Sequence, residues 1–131
     1  GGLMSHIRTI IVDDSPALVS SLTQFLEQDG RCAIVGTSDS GEGGVRLANE
    51  TFPDLVIMDV SLPDIGGIEA VQRIKKSEDG PKVIVLTMHS HPAFREAAEA
   101  AGADGFCHKA SAQRELLRMI EDLFPDATSG E

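Results

Sequence analysis

The chain has 131 residues, a length typical of one domain, and its 41% hydrophobic and 24% charged residues are typical of a soluble globular protein. Its 21 acidic and 11 basic residues give a formal net charge of −10, and it contains no Trp and no Tyr. This excess of carboxylates and the lack of stacking aromatic rings argue against direct nucleic-acid binding. Because there is no apolar run of the ~18 residues that a membrane span needs and no leader-like start, we expect a cytoplasmic protein without a membrane segment.

The two ends differ in composition from the body of the chain. We interpret residues 1–4 as a cloning remnant with the start of the chain, residues 5–125 as one domain, and residues 126–131 as a tail or the start of a linker. Cys32 and Cys107 are far apart in apolar stretches. We therefore expect two buried free thiols rather than a disulfide.

The first half of the body alternates apolar runs with segments of helical periodicity. Residues 7–12 are rich in β-branched side chains, which is typical of a strand buried on both faces. An N-cap at Asp14 or Ser15 and a proline in the first turn then predict a helix that Gly30 ends. The pattern next predicts a strand over 32–36, a helix over 40–49 and a strand over 55–58 that leads to Asp59.

The second half repeats this alternation. After a turn at residues 61–67, a helix is predicted over 68–76 and a strand over 82–86, which leads to Thr87. An alanine-rich helix over 92–101 and a short strand over 104–107 follow, the latter ending near Lys109. Ser111 is expected to cap the last helix, whose apolar stripe stops before Pro125.

Five short apolar strands that alternate with five helices predict an α/β fold with one parallel sheet covered on both faces. Right-handed crossovers favour the doubly wound, five-stranded, flavodoxin-like arrangement with strand order 2-1-3-4-5. In such sheets the functional site lies at the carboxyl ends of the strands, beside the switch point between the first and third strands.

Charged and polar residues follow the strands at this edge: Asp13 and Asp14 after the first, Asp59 after the third, Thr87 after the fourth and Lys109 after the fifth. Carboxylates this close destabilise one another unless a cation neutralises them. Mg²⁺, or Mn²⁺, prefers a few carboxylates together with water and phosphate oxygens. The sequence therefore predicts a divalent metal site with spare coordination positions, and Lys109 adds a positive charge for an anion.

This ordered set resembles the receiver domain of two-component response regulators over about residues 7–124. The residues that carry the resemblance are Asp13, Asp14, Asp59, Leu62, Pro63, Gly67, Thr87, Phe106 and Lys109. The resemblance is strongest to receivers that carry a C-terminal helix-turn-helix domain, which implies control of transcription through a domain outside this chain. A stand-alone receiver, or a phosphorelay intermediate acting through protein contacts, is the alternative.

The resemblance implies roles for these residues. Asp59 is expected to accept a phosphoryl group from a sensor histidine kinase, and Asp13, Asp14, Asp59 and the backbone carbonyl of Ser61 are expected to hold the metal. Thr87 would hydrogen-bond the phosphoryl group and Lys109 would pair with it. Phe106 is a core aromatic or a mobile switch that moves with Thr87 and alters the face made by the fourth helix, fifth strand and last helix. Homodimerisation on phosphorylation is a further expectation.

Several side chains depart from the family pattern or are peculiar to this chain. Ala110 follows Lys109 where many receivers have a proline, and we expect a trans peptide bond there. Met88 stands where a small residue is usual, and with Ser61 and His89 it is expected to tune access to the phosphoryl group and the lifetime of that group. His89 and His91 lack a third ligand in sequence and are read as solvated loop residues rather than a zinc site.

Three other functions are less well supported by the sequence. A phosphatase of the haloacid dehalogenase type would need an Asp-x-Asp run after the first strand. A flavodoxin-like electron carrier would need a Ser/Thr phosphate loop and a Tyr or Trp beside the flavin. A receiver-like partner-binding module without phosphorylation would not need the full acidic set. The chain is thus expected to be a signalling domain that catalyses only its own phosphorylation and dephosphorylation.

Overall fold

The computed structural model describes residues 6–62, 66–89 and 91–127. The strands are β1 (Ile7–Val12), β2 (Cys32–Ser38), β3 (Leu55–Asp59), β4 (Lys82–Thr87) and β5 (Gly105–His108). The helices are α1 (Pro16–Asp29), α2 (Gly41–Thr51), α3 (Gly67–Ile74), α4 (Pro92–Ala101) and α5 (Ala112–Leu123). All strand pairs are parallel and their order is 2-1-3-4-5, which confirms the predicted fold.

The sheet is buried on both faces, as its uninterrupted apolar strands predicted. On one face Ile10, Met58 and Val85 pack with α2, α3 and α4. On the other, Ile57 and Leu86 pack with α1 and α5. This second face also buries the two free thiols, Cys32 and Cys107. Among the described residues, no helix has both the length and the apolar character that a membrane crossing requires.

Several predicted boundaries were off by one or two residues. Strand β2 continues to Ser38 because Thr37 and Ser38 pair with the end of β1. Helix α2 runs over Gly41–Thr51, with Ser40 as its cap, and α3 runs over Gly67–Ile74. Strands β3 and β4 each include one further residue, Asp59 and Thr87.

After β4 the structure shifts the predicted fifth strand by one residue and contradicts the predicted capping of the last helix by the Ser111 side chain. Strand β5 spans Gly105–His108, one residue later than predicted, and the Asp104 carboxylate just before it accepts the Val83 N–H. Ser111 precedes α5 but makes no capping hydrogen bond, since its hydroxyl donates to the Glu115 carboxylate. A short 3-10 turn, Lys109–Ser111, leads into α5 instead.

The start of α1 follows the prediction. The Ser15 hydroxyl accepts the Leu18 N–H at 3.3 Å, which makes Ser15 the N-cap, and Pro16 opens the helix. Gly30 ends it with a left-handed φ of 90°, a conformation that glycine adopts at little cost. The capped helix therefore begins directly after Asp13 and Asp14 and fixes how the chain leaves β1.

Candidate phosphoryl-transfer and metal site

The central residues of the site come from two neighbouring strands. Because β1 and β3 pair in parallel with Val12 opposite Met58, the next residues, Asp13 and Asp59, lie side by side at the carboxyl edge. With Asp14 they form the one group, among the described residues, whose ligand atoms all lie within 4.8 Å of one another. Asp13 and Asp59 are buried and Asp14 is exposed.

A repeated local turn orients three of the strand-end side chains. The Asp13 carboxylate accepts the Ser15 N–H at 2.8 Å, and the Asp59 carboxylate accepts the Ser61 N–H at 3.2 Å. The Thr87 hydroxyl accepts the His89 N–H at 2.9 Å. In each case a side-chain oxygen binds the backbone two residues later, as in Asx and ST turns. The turns hold all three oxygen-bearing groups at the sheet edge.

Lys109 lies between the two buried acids. Its Nζ is 2.9 Å from Asp13 Oδ2 and 3.3 Å from Asp59 Oδ1. The first contact is an ion pair without hydrogen-bond geometry, since the buried Asp13 Oδ2 has no hydrogen-bond partner. Three carboxylates and one ammonium leave a local formal charge of −3 + 1 = −2. The site is thus short of positive charge.

Burial and neighbouring charge change the acidity of Asp59 and Lys109. Burial raises the pKa of Asp59 and the nearby Asp13 charge raises it further, whereas the Ser61 N–H and Lys109 oppose this. Burial alone would lower the pKa of Lys109, but its contacts with Asp13 and Asp59 outweigh that effect and raise it. A second cation beside Asp59 would favour its charged form.

The donor set fits a hard divalent cation. Three carboxylates converge, the buried Asp13 Oδ2 has an ion-pair contact with Lys109 but no hydrogen bond, and the local charge is negative. Oxygen ligands of this kind suit Mg²⁺ or Mn²⁺, which also keep sites for water and phosphate oxygens. Ser61, two residues after Asp59, is exposed.

Gly67 lies in close contact with the backbone of Asp59, the candidate phospho-acceptor, and leaves no room for a side chain. A Cβ on Gly67 would overlap the backbone carbonyl oxygen of Asp59 and lie 2.7 Å from Val60 Cα. The Gly67 N–H also donates to the Val60 carbonyl at 2.9 Å. The motif position of Gly67 was predicted, but only the folded chain shows that α3 begins in direct contact with the Asp59 backbone.

The predicted access and switch residues occupy different surroundings. Thr87 is buried at the end of β4, whereas Met88 is 72% exposed. His89 is exposed and stacks on the Phe94 ring with centroids 4.5 Å apart. Phe106 is half-buried and packs against the core under α4. The Lys109–Ala110 peptide bond is trans, as expected. Pro63 and Ser90 lie outside the described residues.

Comparisons with known proteins agree with this geometry. The family model described as response regulator receiver domain matches residues 9–121. Response regulator GacA of Pseudomonas aeruginosa is 34% identical over 118 residues, which are 90% of this chain and 55% of GacA. Response regulator UvrY of Escherichia coli is 31% identical over 118 residues, 90% of this chain and 54% of UvrY. The chain thus spans about half the length of these relatives.

A solved structure described as a two-component response regulator of the LuxR family, from Aurantimonas sp. SI85-9A1, superposes with a TM-score of 0.86 at 35% identity. The match covers 95% of this chain and 91% of that one. Since the family model spans most of the chain and GacA is 34% identical over 90% of it, the chain belongs to the receiver domain family of two-component response regulators.

Proposed function

We propose that Asp59 accepts a phosphoryl group from the phosphohistidine of a sensor kinase, with a divalent cation held by Asp13, Asp14, Asp59 and the Ser61 carbonyl. The observation that carries this proposal is the position of Asp59, buried beside Asp13 with Lys109 Nζ 3.3 Å away. A buried carboxylate that lies beside two further acids and an ammonium is placed to act as a nucleophile towards phosphorus.

The phosphoryl transfer needs no reactant other than the Asp59 carboxylate and the phosphohistidine donor. A bond forms between an Asp59 carboxylate oxygen and phosphorus while the phosphorus–nitrogen bond of the donor breaks, and its electron pair stays on the imidazole nitrogen. A divalent cation held by Asp13, Asp14, Asp59 and the Ser61 carbonyl would neutralise charge on the phosphoryl oxygens. Lys109, already 2.9 Å from Asp13 and 3.3 Å from Asp59, would exchange one of these contacts for a phosphoryl oxygen. The product is an aspartyl phosphate.

Incubation with acetyl phosphate tests the proposed function. With Mg²⁺ present, intact-mass spectrometry is expected to show one added phosphoryl group per chain, and digestion is expected to locate it on the peptide that contains Asp59. With excess chelator no mass is expected to be gained. A phosphoryl group on another residue, or equal gain without metal, would refute the proposal.

Mg²⁺ is expected to raise the melting temperature of the wild-type chain, because a ligand that binds only the folded state stabilises it. At a hundred times the dissociation constant the gain in unfolding free energy is about 2.7 kcal/mol. The Asp13→Asn variant removes one ligand charge and should lose most of the gain. Differential scanning fluorimetry over a Mg²⁺ series measures this, with Asp29→Asn, away from the acidic pocket, as the control. An equal Mg²⁺ response in the Asp13 variant would contradict the assignment.

We further propose that phosphorylation acts through Thr87 on the face formed by α4, β5 and α5. The Thr87 hydroxyl holds the His89 N–H, and the His89 ring stacks on Phe94 of α4. If the hydroxyl turns to the phosphoryl group, His89 loses this acceptor and the stack on α4 is released. The half-buried Phe106 can then enter the space beside Thr87, a two-state packing change.

Met88→Ala is expected to speed phosphorylation by acetyl phosphate and to shorten the phosphoryl lifetime, because a smaller side chain widens the approach for donor and water. Ser61 and His89, two residues beyond Asp59 and Thr87, flank the same approach and are the other tuning positions. Intact-mass time courses measure gain and loss of the phosphoryl group. Unchanged rates would show that Met88, which is 72% exposed, leaves the approach open.

The output of the whole protein is proposed to be control of transcription through a C-terminal domain, with receiver homodimerisation as one means. GacA and UvrY are response regulators almost twice as long as the matched region. The buried free thiols Cys32 and Cys107 suit the reducing cytoplasm, where sensor kinases present their phosphohistidine.

A further inference from the structure

The turn after β5 repeats the local hydrogen bond found at the other strand ends of the site. Nδ1 of His108 accepts the Ala110 N–H at 3.2 Å, so a side chain again binds the backbone two residues later. His108 is the last residue of β5 and lies opposite Thr87, the last residue of β4. Four neighbouring strands, β1, β3, β4 and β5, therefore lead into turns of the same kind at one edge of the sheet.

The turn after β5 differs from the other three in which side chain belongs to the site. In the first three turns the acceptor itself, Asp13, Asp59 or Thr87, is a side chain of the proposed site. In the turn after β5 the acceptor is an imidazole, and the side chain of the site is that of Lys109, the residue that the turn encloses. Such a turn restricts the backbone dihedrals of its middle residue. It therefore sets the direction in which Lys109 leaves the backbone.

The position of Lys109 is demanding. Its Nζ must lie 2.9 Å from Asp13 Oδ2 and 3.3 Å from Asp59 Oδ1 at the same time. Lysine reaches these acids through a flexible four-carbon stem, which does not by itself hold the ammonium in one place. A fixed backbone direction at position 109 reduces the number of stem conformations that compete with the double contact.

Two further hydrogen bonds hold the second half of the turn. The Ala112 N–H donates to the Lys109 carbonyl in the short 3-10 turn Lys109–Ser111. The Ser111 hydroxyl donates to the His108 carbonyl at 3.4 Å. The imidazole of His108 holds the first half, and this bond needs a residue with an N–H at position 110, which a proline would lack.

The hydrogen bond from Ala110 to His108 contributes orientation more than stability. Ala110 is exposed, so its N–H can bind water when the imidazole is removed. Loss of such a bond leaves no buried donor unsatisfied and costs the fold little. An effect of His108 on phosphoryl transfer can therefore be separated from an effect on folding.

We propose that His108 is a positioning residue for Lys109: by accepting the Ala110 N–H, its imidazole sets the turn that directs the Lys109 ammonium to Asp13 and Asp59, and hence to the incoming phosphoryl group. This inference rests on the proposed function, in which Lys109 exchanges one of these contacts for a phosphoryl oxygen. His108 acts on the transfer only through Lys109.

Three substitutions of His108 separate the acceptor from the size of the side chain. His108→Leu and His108→Ala both remove the acceptor, one with a large side chain and one with a small one. His108→Asn restores it, because an Asn side-chain oxygen can accept the N–H two residues later in an Asx turn. His91→Leu is the matched control, since Nδ1 of His91 accepts the Ala93 N–H at 3.0 Å in the same way but at the start of α4.

The rate of phosphorylation by acetyl phosphate with Mg²⁺, followed by intact-mass spectrometry, is the measurement. His108→Leu and His108→Ala are expected to lower the rate by about threefold or more. His108→Asn and His91→Leu should stay within about twofold of wild type. Scanning fluorimetry of the same samples should show little change in melting temperature for the His108 variants.

A double-mutant cycle tests whether His108 acts through Lys109. The Lys109→Ala variant should be phosphorylated more slowly than wild type, and addition of His108→Leu should change that lowered rate by less than about twofold. The two substitutions are expected to be non-additive because the turn then has no ammonium to direct.

The inference would be overturned by a wild-type rate in both acceptor-free variants, by failure of His108→Asn to restore the rate, or by an equal loss in His91→Leu. A full threefold loss from His108→Leu in the Lys109→Ala background would overturn it too. If the wild-type chain is phosphorylated on Asp59 and the His108 variants match it, this inference alone fails. If the wild-type chain gains no phosphoryl group, the proposed function fails and the positioning role fails with it.

Discussion

Asp59→Asn should gain no phosphoryl group from acetyl phosphate under conditions in which the wild-type chain is fully modified. The substitution replaces an ionised oxygen with an amide, which is a far weaker nucleophile, while the similar shape can still accept the Ser61 N–H. Asp13 and Asp14 remain, but neither has both burial and the Ser61 turn that orients Asp59. Intact-mass spectrometry gives the result directly.

Asp39→Asn is the matched control for this experiment. Asp39 is an exposed carboxylate on the rim of the groove that Asp13 and Asp14 also line, but it does not belong to the converging acidic triad. The Asp39→Asn variant should gain its phosphoryl group on Asp59 to the same extent as the wild-type chain. If the Asp59 variant keeps the mass gain, another residue is the acceptor and the assignment of the site is wrong.

Gly67→Ala is expected to lower the free energy of unfolding by about 3 kcal/mol or more, in the upper range for overpacked sites. The added Cβ would overlap the Asp59 carbonyl oxygen, and a backbone atom cannot rotate away as a flexible side chain can. The start of α3 or the end of β3 must therefore move. Urea unfolding followed by circular dichroism measures the loss, and phosphorylation of the folded variant should also slow, because Asp59 itself is displaced.

Gly66→Ala separates this overlap from backbone strain. Gly66 has a φ of 81° and a ψ of 157°, a region open almost only to glycine, but a Cβ there meets nothing within 4 Å. Its cost should be the backbone term alone, about 1–3 kcal/mol. Phosphorylation should be little changed in the folded Gly66 variant. If the Gly67 variant is as stable as wild type, the close approach of α3 to Asp59 does not exist in solution.

The sequence predicted those parts of the fold that depend on local patterns of apolar and polar residues. Short apolar strands alternate with helices, so right-handed crossovers could predict the strand order. Because polar residues follow the first and third strands, the meeting of Asp13 with Asp59 could be predicted too. The strand ends were less predictable, because Thr37 and Ser38 extend β2 only through pairing with β1. A serine before an amphipathic run also indicated a cap at Ser111, but the nearby Glu115 takes its hydroxyl.

Other parts of the site depend on contacts between distant segments. Lys109 was predicted to face the phosphoryl position. Its simultaneous contact with Asp13 and Asp59 depends on the register in which β5 pairs with β4. A groove between the start of α4 and the end of β5 combines residues from the β4–α4 connection and from β5. No periodicity links them, so the sequence identified His91 only as a loop residue and His89 as a loop residue that tunes access to the phosphoryl group. That the His91 and His108 rings accept backbone N–H groups is visible only in the fold.

The buried cysteines make the wild-type chain a convenient starting point for site-selective labelling. Burial raises the pKa of Cys107 to about 12 and, together with the nearby Asp29 charge, also raises that of Cys32. Alkylating reagents react with the thiolate form of cysteine. Both native thiols are therefore protected by their raised pKa, which keeps them protonated, as well as by burial in the core. One new cysteine on an exposed position of α4, such as Ala100, can therefore carry a fluorophore or spin label without removal of Cys32 and Cys107. The label then reports motion of α4 in a protein whose core is unchanged.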